Sequence, residues 1–342
     1  MERRQSATTL RGATLIGRLR GEGSDRPRVD PGLAGGLRDW LEDELAAPVA
    51  ALGDQNGPVR VTKETLNQVL VCESHLVARR GAPRRMTEEL ARGSLVDAAF
   101  RQWITTGRLD DPWADSLAAM EATGDSDGVV AFVGALPSAR RHALADELAA
   151  HGAVLTAAWP VPSPTWLART QERLTVPLAG GRIVMSGVVD LAFGAPSSGN
   201  ASVCIVEVKS GRRKVEHRGD LHLYALMETL RSGAPPFRVA TYYTATGELD
   251  VEPVGREVLV GALHRVHCGA TALCRLAAGG EPARSPNALC GWCAGLASCP
   301  PGRARVEMTS GGAPPAGAAG GLTDDDEVED TAVEEDATWV SP

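Results

Sequence analysis

Arg182-Ile-Val-Met-Ser-Gly187-Val-Val-Asp190-Leu-Ala-Phe193, followed by Ser202-Val-Cys-Ile-Val-Glu207-Val-Lys209, is the stretch that decides how this chain is read. The second run is β-branched and apolar enough for a strand covered on both faces. The first run follows Arg173-Leu-Thr-Val-Pro-Leu178 and the pair Gly180-Gly181, a pattern that predicts a hairpin. Ser197-Ser-Gly-Asn200 predicts the next turn. Side chains alternate with period two along a strand, so Glu207 and Lys209 share a face. Asp190, at the end of the preceding strand, is placed to reach that face. A hard cation such as Mg²⁺ takes carboxylate and carbonyl oxygens, and Asp190, Glu207 and the Val208 carbonyl offer three. Such a cation lowers the pKa of a bound water and offsets the charge of a scissile phosphate. Lys209 then orients the water or stabilises the transition state as a point charge. A lone Glu-x-Lys is usually a solvated strand face. Asp190, in this strand context, turns the reading toward a cation site.

Upstream, Thr62-Lys-Glu-Thr-Leu-Asn-Gln-Val-Leu-Val-Cys72 has apolar residues at helical spacing with Thr62 as N-cap. Residues 86–106 read as a second helix, containing Arg92-Gly93-Ser94-Leu95-Val96-Asp97. Residues 107–171 read as a helical insertion. Downstream, the pattern predicts a helix over 220–231, strands over 237–243 and 249–254, and a long helix over 257–278. That last helix carries His264, His267, Cys268 and Cys274, read as packing of a buried face rather than as a second metal site. Residues 1–58, rich in Gly, Pro and charge, read as a partly ordered arm with a short helix near 37–47.

Cys290-Gly-Trp-Cys293-Ala-Gly-Leu-Ala-Ser-Cys299 spaces three thiols as C-x2-C-x5-C, and Cys72 supplies a fourth from far upstream. A metal staple joining them would close a loop spanning most of the chain. Seven cysteines, an odd number clustered this way, fit ligand thiolates in a reducing compartment better than disulfides. Zinc and iron–sulfur both suit four thiolates. Cys204, in mid-strand, reads as core.

The 342 residues suffice for a large core. The formal charge of −8 is a property of the tail: residues 323–342 hold nine acids and no Lys or Arg, and without them the rest stands at +1. Residues 304–342, Gly/Pro/Ala-rich and then acidic, read as disordered. No apolar run is long enough for a membrane span, no secretory h-region follows Met1, and the expected location is the cytoplasm. Gly-Arg212-Arg213-Lys214, after the second strand, is a candidate contact for a DNA backbone, and Tyr242 or Tyr243 for base stacking. No Walker A motif is present, so any motor would come from another chain.

At these residues the chain resembles the PD-(D/E)XK nuclease superfamily, in its RecB-like branch. Gly187-Val-Val-Asp190 is similar to the family's G-x-x-D, Glu207-Val-Lys209 to its E-x-K, and Leu221-His-Leu-Tyr224 to its Q-L-x-L-Y segment. The resemblance, over about residues 62–300, implies a domain over 59–303 with a restriction-endonuclease-like α/β core, a mixed sheet flanked by helices. It implies catalysis by Asp190, Glu207 and Lys209 with Mg²⁺ or Mn²⁺, and Tyr224 near the DNA. Cys72, Cys290, Cys293 and Cys299 resemble the four cysteines that hold a [4Fe–4S] cluster in AddB-type helicase–nuclease subunits and CRISPR-associated RecB-like exonucleases, with zinc as the alternative. Two positions depart from the pattern. Asp97 stands where the family has a metal-binding His, and an acid there is a legitimate ligand. Asp220 stands where it has Gln, and would repel a phosphate. The implied function is metal-dependent DNA cleavage on single strands or ends, in recombination, repair or defence. The alternatives are a DNA-binding or scaffolding module without catalysis, or a subunit working with a separate helicase.

Overall fold

One long strand organises the sheet. In the computed structural model, which describes residues 15–21, 26–80, 85–124, 128–214 and 217–309, β3 (Ile183–Phe193) pairs antiparallel along one edge with β2 (Arg169–Leu178). Its other edge is shared. β1 (Val59–Val61) lies parallel to its start, Val61 beside Met185, and β4 (Cys204–Lys209) lies antiparallel to its end, Leu191 beside Val206. β5 (Arg238–Tyr243) runs parallel to β4, and β6 (Glu248–Pro253) closes the sheet antiparallel to β5. β1 and β4 therefore run toward each other and stop short, leaving part of the β3 edge between them uncovered. The β2–β3 hairpin turns through Ala179–Gly181, where Gly180 and Gly181 take φ of 63° and 86°, a region glycine enters without a Cβ clash.

The ten helices named here are α1 (Leu33–Leu52), α2 (Lys63–Val71), α3 (Glu73–Arg80), α4 (Glu88–Thr106), α5 (Pro112–Ala122), α6 (Val129–Ala135), α7 (Ser138–Ala158), α8 (His217–Ser232), α9 (Arg256–Ala277) and α10 (Pro300–Thr309). One layer buries Leu66 and Val69 of α2, Leu221, Leu223 and Tyr224 of α8, and Leu259 and Val266 of α9 against Met185, Val189 and Ile205 of the sheet. The opposite layer packs Phe100 of α4, Leu155 of α7 and Trp159 against Leu191, Val206 and Tyr242. A third cluster, between α4 and helices α5 to α7, gives the expected helical insertion its own core through Leu95, Met120, Val133 and Leu148. α5 starts cleanly because Asp111 accepts from the Trp113 and Ala114 amides and Pro112 needs no donor at the first turn.

Two helical segments of the expected N-terminal arm contribute to the core. α1 is longer than the sequence predicts, and Leu37, Leu41 and Leu45, one turn apart, lie wholly inside the first layer. Leu15, Ile16 and Leu19, in a helical segment over 15–20, fill the second layer. The Gly/Pro content of the flanking sequence masks these stripes. The acidic tail lies outside the described residues. Among them no helix is long and apolar enough to cross a membrane.

Gly187 is fixed by a close approach. A Cβ there would lie 2.7 Å from Cε1 of Tyr224, which α8 lays flat against the strand. Gly187→Ala should lower stability by about 1–3 kcal/mol through overpacking, read as a fall in Tm. Tyr224→Leu in the same chain should recover part of that loss.

Candidate active site and cysteine cavity

The gap between β1 and β4 is where the polar side chains gather. The β3–β4 ladder ends at Leu191 and Val206, and the next residues across it are Asp190 and Glu207. Directly opposed residues of an antiparallel pair hold their side chains within about 5 Å. Asp190 takes over where the ladder stops: its Oδ2 accepts the Val208 amide at 2.6 Å. Asp190 is 1% exposed and Glu207 0%. Glu207 Oε1 meets Lys209 Nζ at 3.1 Å, as strand periodicity predicts, and Lys63 Nζ at 2.7 Å.

Sequence reasoning missed Lys63. It is the first residue of α2, after the Thr62–Thr65 capping box, a position that in sequence looks like a solvated first turn. The folded chain brings it across the gap because β1 aims α2 there, and it is buried with its ammonium 5.9 Å from the Tyr224 ring. Burying a carboxylate is costly unless its charge is matched, and two ammoniums match it here.

Asp97 lies on the side of α4 that faces β2. Its oxygens accept from Gln171 Nε2 at 3.3 and 3.5 Å, and Arg101 Nε stands 3.0 Å away. Gln171 is the residue opposite Asp190 in the β2–β3 register, since Thr170 pairs with Leu191 and Glu172 with Val189. Asp97 is thus held by the residue that faces Asp190 across the β2–β3 pair.

Asp220 does not face a phosphate path, contrary to expectation. It is buried and accepts from Asn67 Nδ2 at 2.9 Å; burial holds the Arg265 guanidinium below its usual value, and the Asp220 charge opposes that shift. Its carboxylate ties α8 to α2 and α9. Tyr224 corrects a second expectation: at 1% exposure it packs on Gly187 and is closed to DNA. Tyr242 is buried in the opposite layer, and Tyr243 is buried with its hydroxyl 3.1 Å from His217 Nδ1. Burial pushes the Tyr243 phenol up, and Asp250 adds to the rise. His264 and His267 are not on a buried face but rest edge-on against Trp40 at 4.9 and 5.5 Å. Cys204 is core, and burial pushes its thiol up to about 12.

Arg213 and Lys214 line a cleft of about 680 Å³ with His217, Arg218, Thr241 and Tyr243. Thr241 and Tyr243 are the β5 partners of Glu207 and Lys209, so the cleft adjoins the carboxylate site on the same face. Its two arginines are paired, Arg213 with Asp250 at 2.6 Å and Arg218 with Glu252 at 2.7 Å.

Away from the sheet, Cys72, Cys290, Cys293 and Cys299 line one cavity of about 270 Å³. Cys72 caps the end of α2. Glu73 anchors the returning chain by pairing with Arg275 and accepting the Ala283 amide at 2.7 Å. The Ser285 amide points at Cys72 Sγ (3.5 Å) and the Asn287 amide at Cys290 Sγ (3.3 Å). Burial pushes the Cys293 thiol up, the Gly295 amide opposes this, and the other three sulfurs add to the rise. As the side chains stand, no group of three or more His, Cys, Asp or Glu among the described residues closes around a single metal ion.

The family comparison agrees with the motifs. The sequence model of the PD-(D/E)XK nuclease superfamily matches residues 60–300. A candidate exonuclease from Eubacterium rectale is 14% identical, with a TM-score of 0.40 over 65% of this chain and 83% of its own. A protein named SSO0001 is also 14% identical, with a TM-score of 0.30 over 76% of this chain and 93% of its own. No curated protein matches the chain.

Lys63→Met tests the charge balance. Removing one partner of a buried pair costs about 3 kcal/mol, at the lower end of its range because Lys209 remains. Melting in EDTA should show that loss, and added Mn²⁺ should recover more Tm in the variant than in the parent.

Proposed function

The chain belongs to the PD-(D/E)XK nuclease superfamily, and from that premise we propose that it hydrolyses DNA phosphodiester bonds with a divalent cation held beside β4. The observation that carries this reading is the convergence of Asp190, Glu207 and Lys209 where the β3–β4 ladder parts. The donor set fits a hard cation: two carboxylates from neighbouring strands, the Val208 carbonyl between Glu207 and Lys209, and Asp97 as a further acid. When bound, Mg²⁺ or Mn²⁺ supplies a Lewis acid that makes water nucleophilic at neutral pH and offsets phosphate charge.

The chain's own residues do the rest. Asp190, pinned by the Val208 amide, keeps its carboxylate fixed between the strands. Glu207 is held at its Oε1 by two ammoniums, so its orientation is set before a cation arrives. Lys209 holds positive charge where the attacking water and the phosphate meet. Arg213 and Lys214, lining the adjoining cleft, and Arg212 beside them guide the DNA backbone, with Arg213 exchanging Asp250 for phosphate. Burial of the site on the sheet face favours a strand that can thread in, which is a single strand or a frayed end.

We read Cys72, Cys290, Cys293 and Cys299 as ligands of a structural [4Fe–4S] cluster. Two observations support a metal staple here: the four thiols line one cavity, and backbone amides aim at two of the sulfurs; zinc is the alternative occupant. Such a cluster ties the end of α2 to the loop after α9, and α2 is the helix that delivers Lys63.

The deciding experiment is cleavage of end-labelled single- and double-stranded DNA by holoprotein with Mg²⁺ or Mn²⁺. Cleavage should need the cation, vanish in Asp190→Ala and Glu207→Ala, and fall about 10²–10³-fold in Lys209→Ala. DNA binding without cleavage under every condition would make the chain a binding module. For the cysteines, protein purified without oxygen should be brown and contain iron, and Cys293→Ala should lose the colour and most of the thermal stability. Stoichiometric zinc in a colourless protein would replace the cluster with a zinc staple.

A further inference from the structure

Side-chain alternation along β3 breaks at Asp190. Ile183, Met185 and Val189 belong to the layer under α8 and α9, and strict alternation would send Leu191 and Phe193 there as well. They belong instead to the opposite layer, while Ala192 lies in the first. The cause lies across the ladder. Gln171 has a φ of 52°, inside β2, at the position opposite Asp190, and the 171/190 pair is missing from an otherwise continuous register. A residue with a Cβ is rarely held in that region, and where it is, the surroundings over-determine it. Here the backbone turn swings Asp190 onto the Glu207 face. The same residue extends its amide to both oxygens of Asp97.

The geometry points to Gln171 as the positioning residue of this site: its left-handed backbone aims Asp190, and its side chain aims Asp97, at one cation beside Glu207. This rests on the cation site proposed above. The two acids come from a helix and a strand, and Gln171 touches Asp97 with its side chain while facing Asp190 across the β2–β3 register. Its chemistry suits the task, because a neutral amide donates to Asp97 without competing with a cation for its charge.

The two roles separate by mutation. Gln171→Gly accepts the left-handed backbone and deletes the amide; Gln171→Val opposes that backbone, since a β-branched residue tolerates it least. Both are measured by calorimetric Mn²⁺ binding and by melting in EDTA, beside Asp97→Ala, Asp190→Ala and the Gln171→Gly/Asp97→Ala double variant. Gln171→Gly should melt no lower than the parent yet bind Mn²⁺ about tenfold more weakly, and should add little to Asp97→Ala. Gln171→Val should lose Mn²⁺ binding to the extent Asp190→Ala does. A merely structural residue would move the melting temperature and leave Mn²⁺ affinity in place. Parental Mn²⁺ affinity in Gln171→Gly, with Asp190→Ala still deficient, overturns the role of Gln171 and leaves the cation site standing. Parental affinity in Asp190→Ala overturns both.

Discussion

The structure turns on one hydrogen bond, from the Val208 amide to the Asp190 carboxylate. Where the β3–β4 ladder ends, β4 would otherwise leave its amide unmatched inside the protein, at a cost comparable to a lost hydrogen bond. The side chain of Asp190 replaces the missing backbone partner. The same contact fixes the strand carrying Glu207 and Lys209 and sets a second carboxylate beside the first. A structural repair and a functional arrangement are thereby the same interaction. The buried charge of Glu207 is matched by two lysines, and Asp190 takes its hydrogen bond from the backbone.

The remaining elements can be ordered by how they serve that gap. β1 is only three residues long, and its shortness keeps the β3 edge open and delivers α2 with Lys63. α8 closes the face through Tyr224 on Gly187. The link of α8 to α2 and α9 through Asp220, Asn67 and Arg265 holds these helices in one layer. The cysteine cavity lies beyond the far end of α2, at Cys72. A staple there would restrain the same helix whose first residue touches Glu207, so that the two sites would share one rigid rod.

Much of this was legible in the sequence where chemistry and periodicity coincide. The hairpin, the Glu207–Lys209 face and the Thr62 cap follow from local rules, and each side chain lies where those rules put it. Lys63 was not legible, because a lysine in a first turn looks solvated until β1 aims it across a gap. Gln171 was not legible either: nothing local marks a glutamine as left-handed, and only the pairing with β3 forces it. Asp220 misled for the converse reason. A motif position suggested a phosphate neighbour, and long-range packing gave it Asn67 instead. α1 was hidden by composition, since its leucine stripe lies among glycines and charges that read as loose chain.

Anomalous diffraction from crystals grown with Mn²⁺ tests the central claim most directly. The account predicts a single strong peak bonded to carboxylate oxygens of both Asp190 and Glu207, with the Lys63 ammonium withdrawn from Glu207. A peak at any other place, or none while Lys63 stays on Glu207, would contradict it.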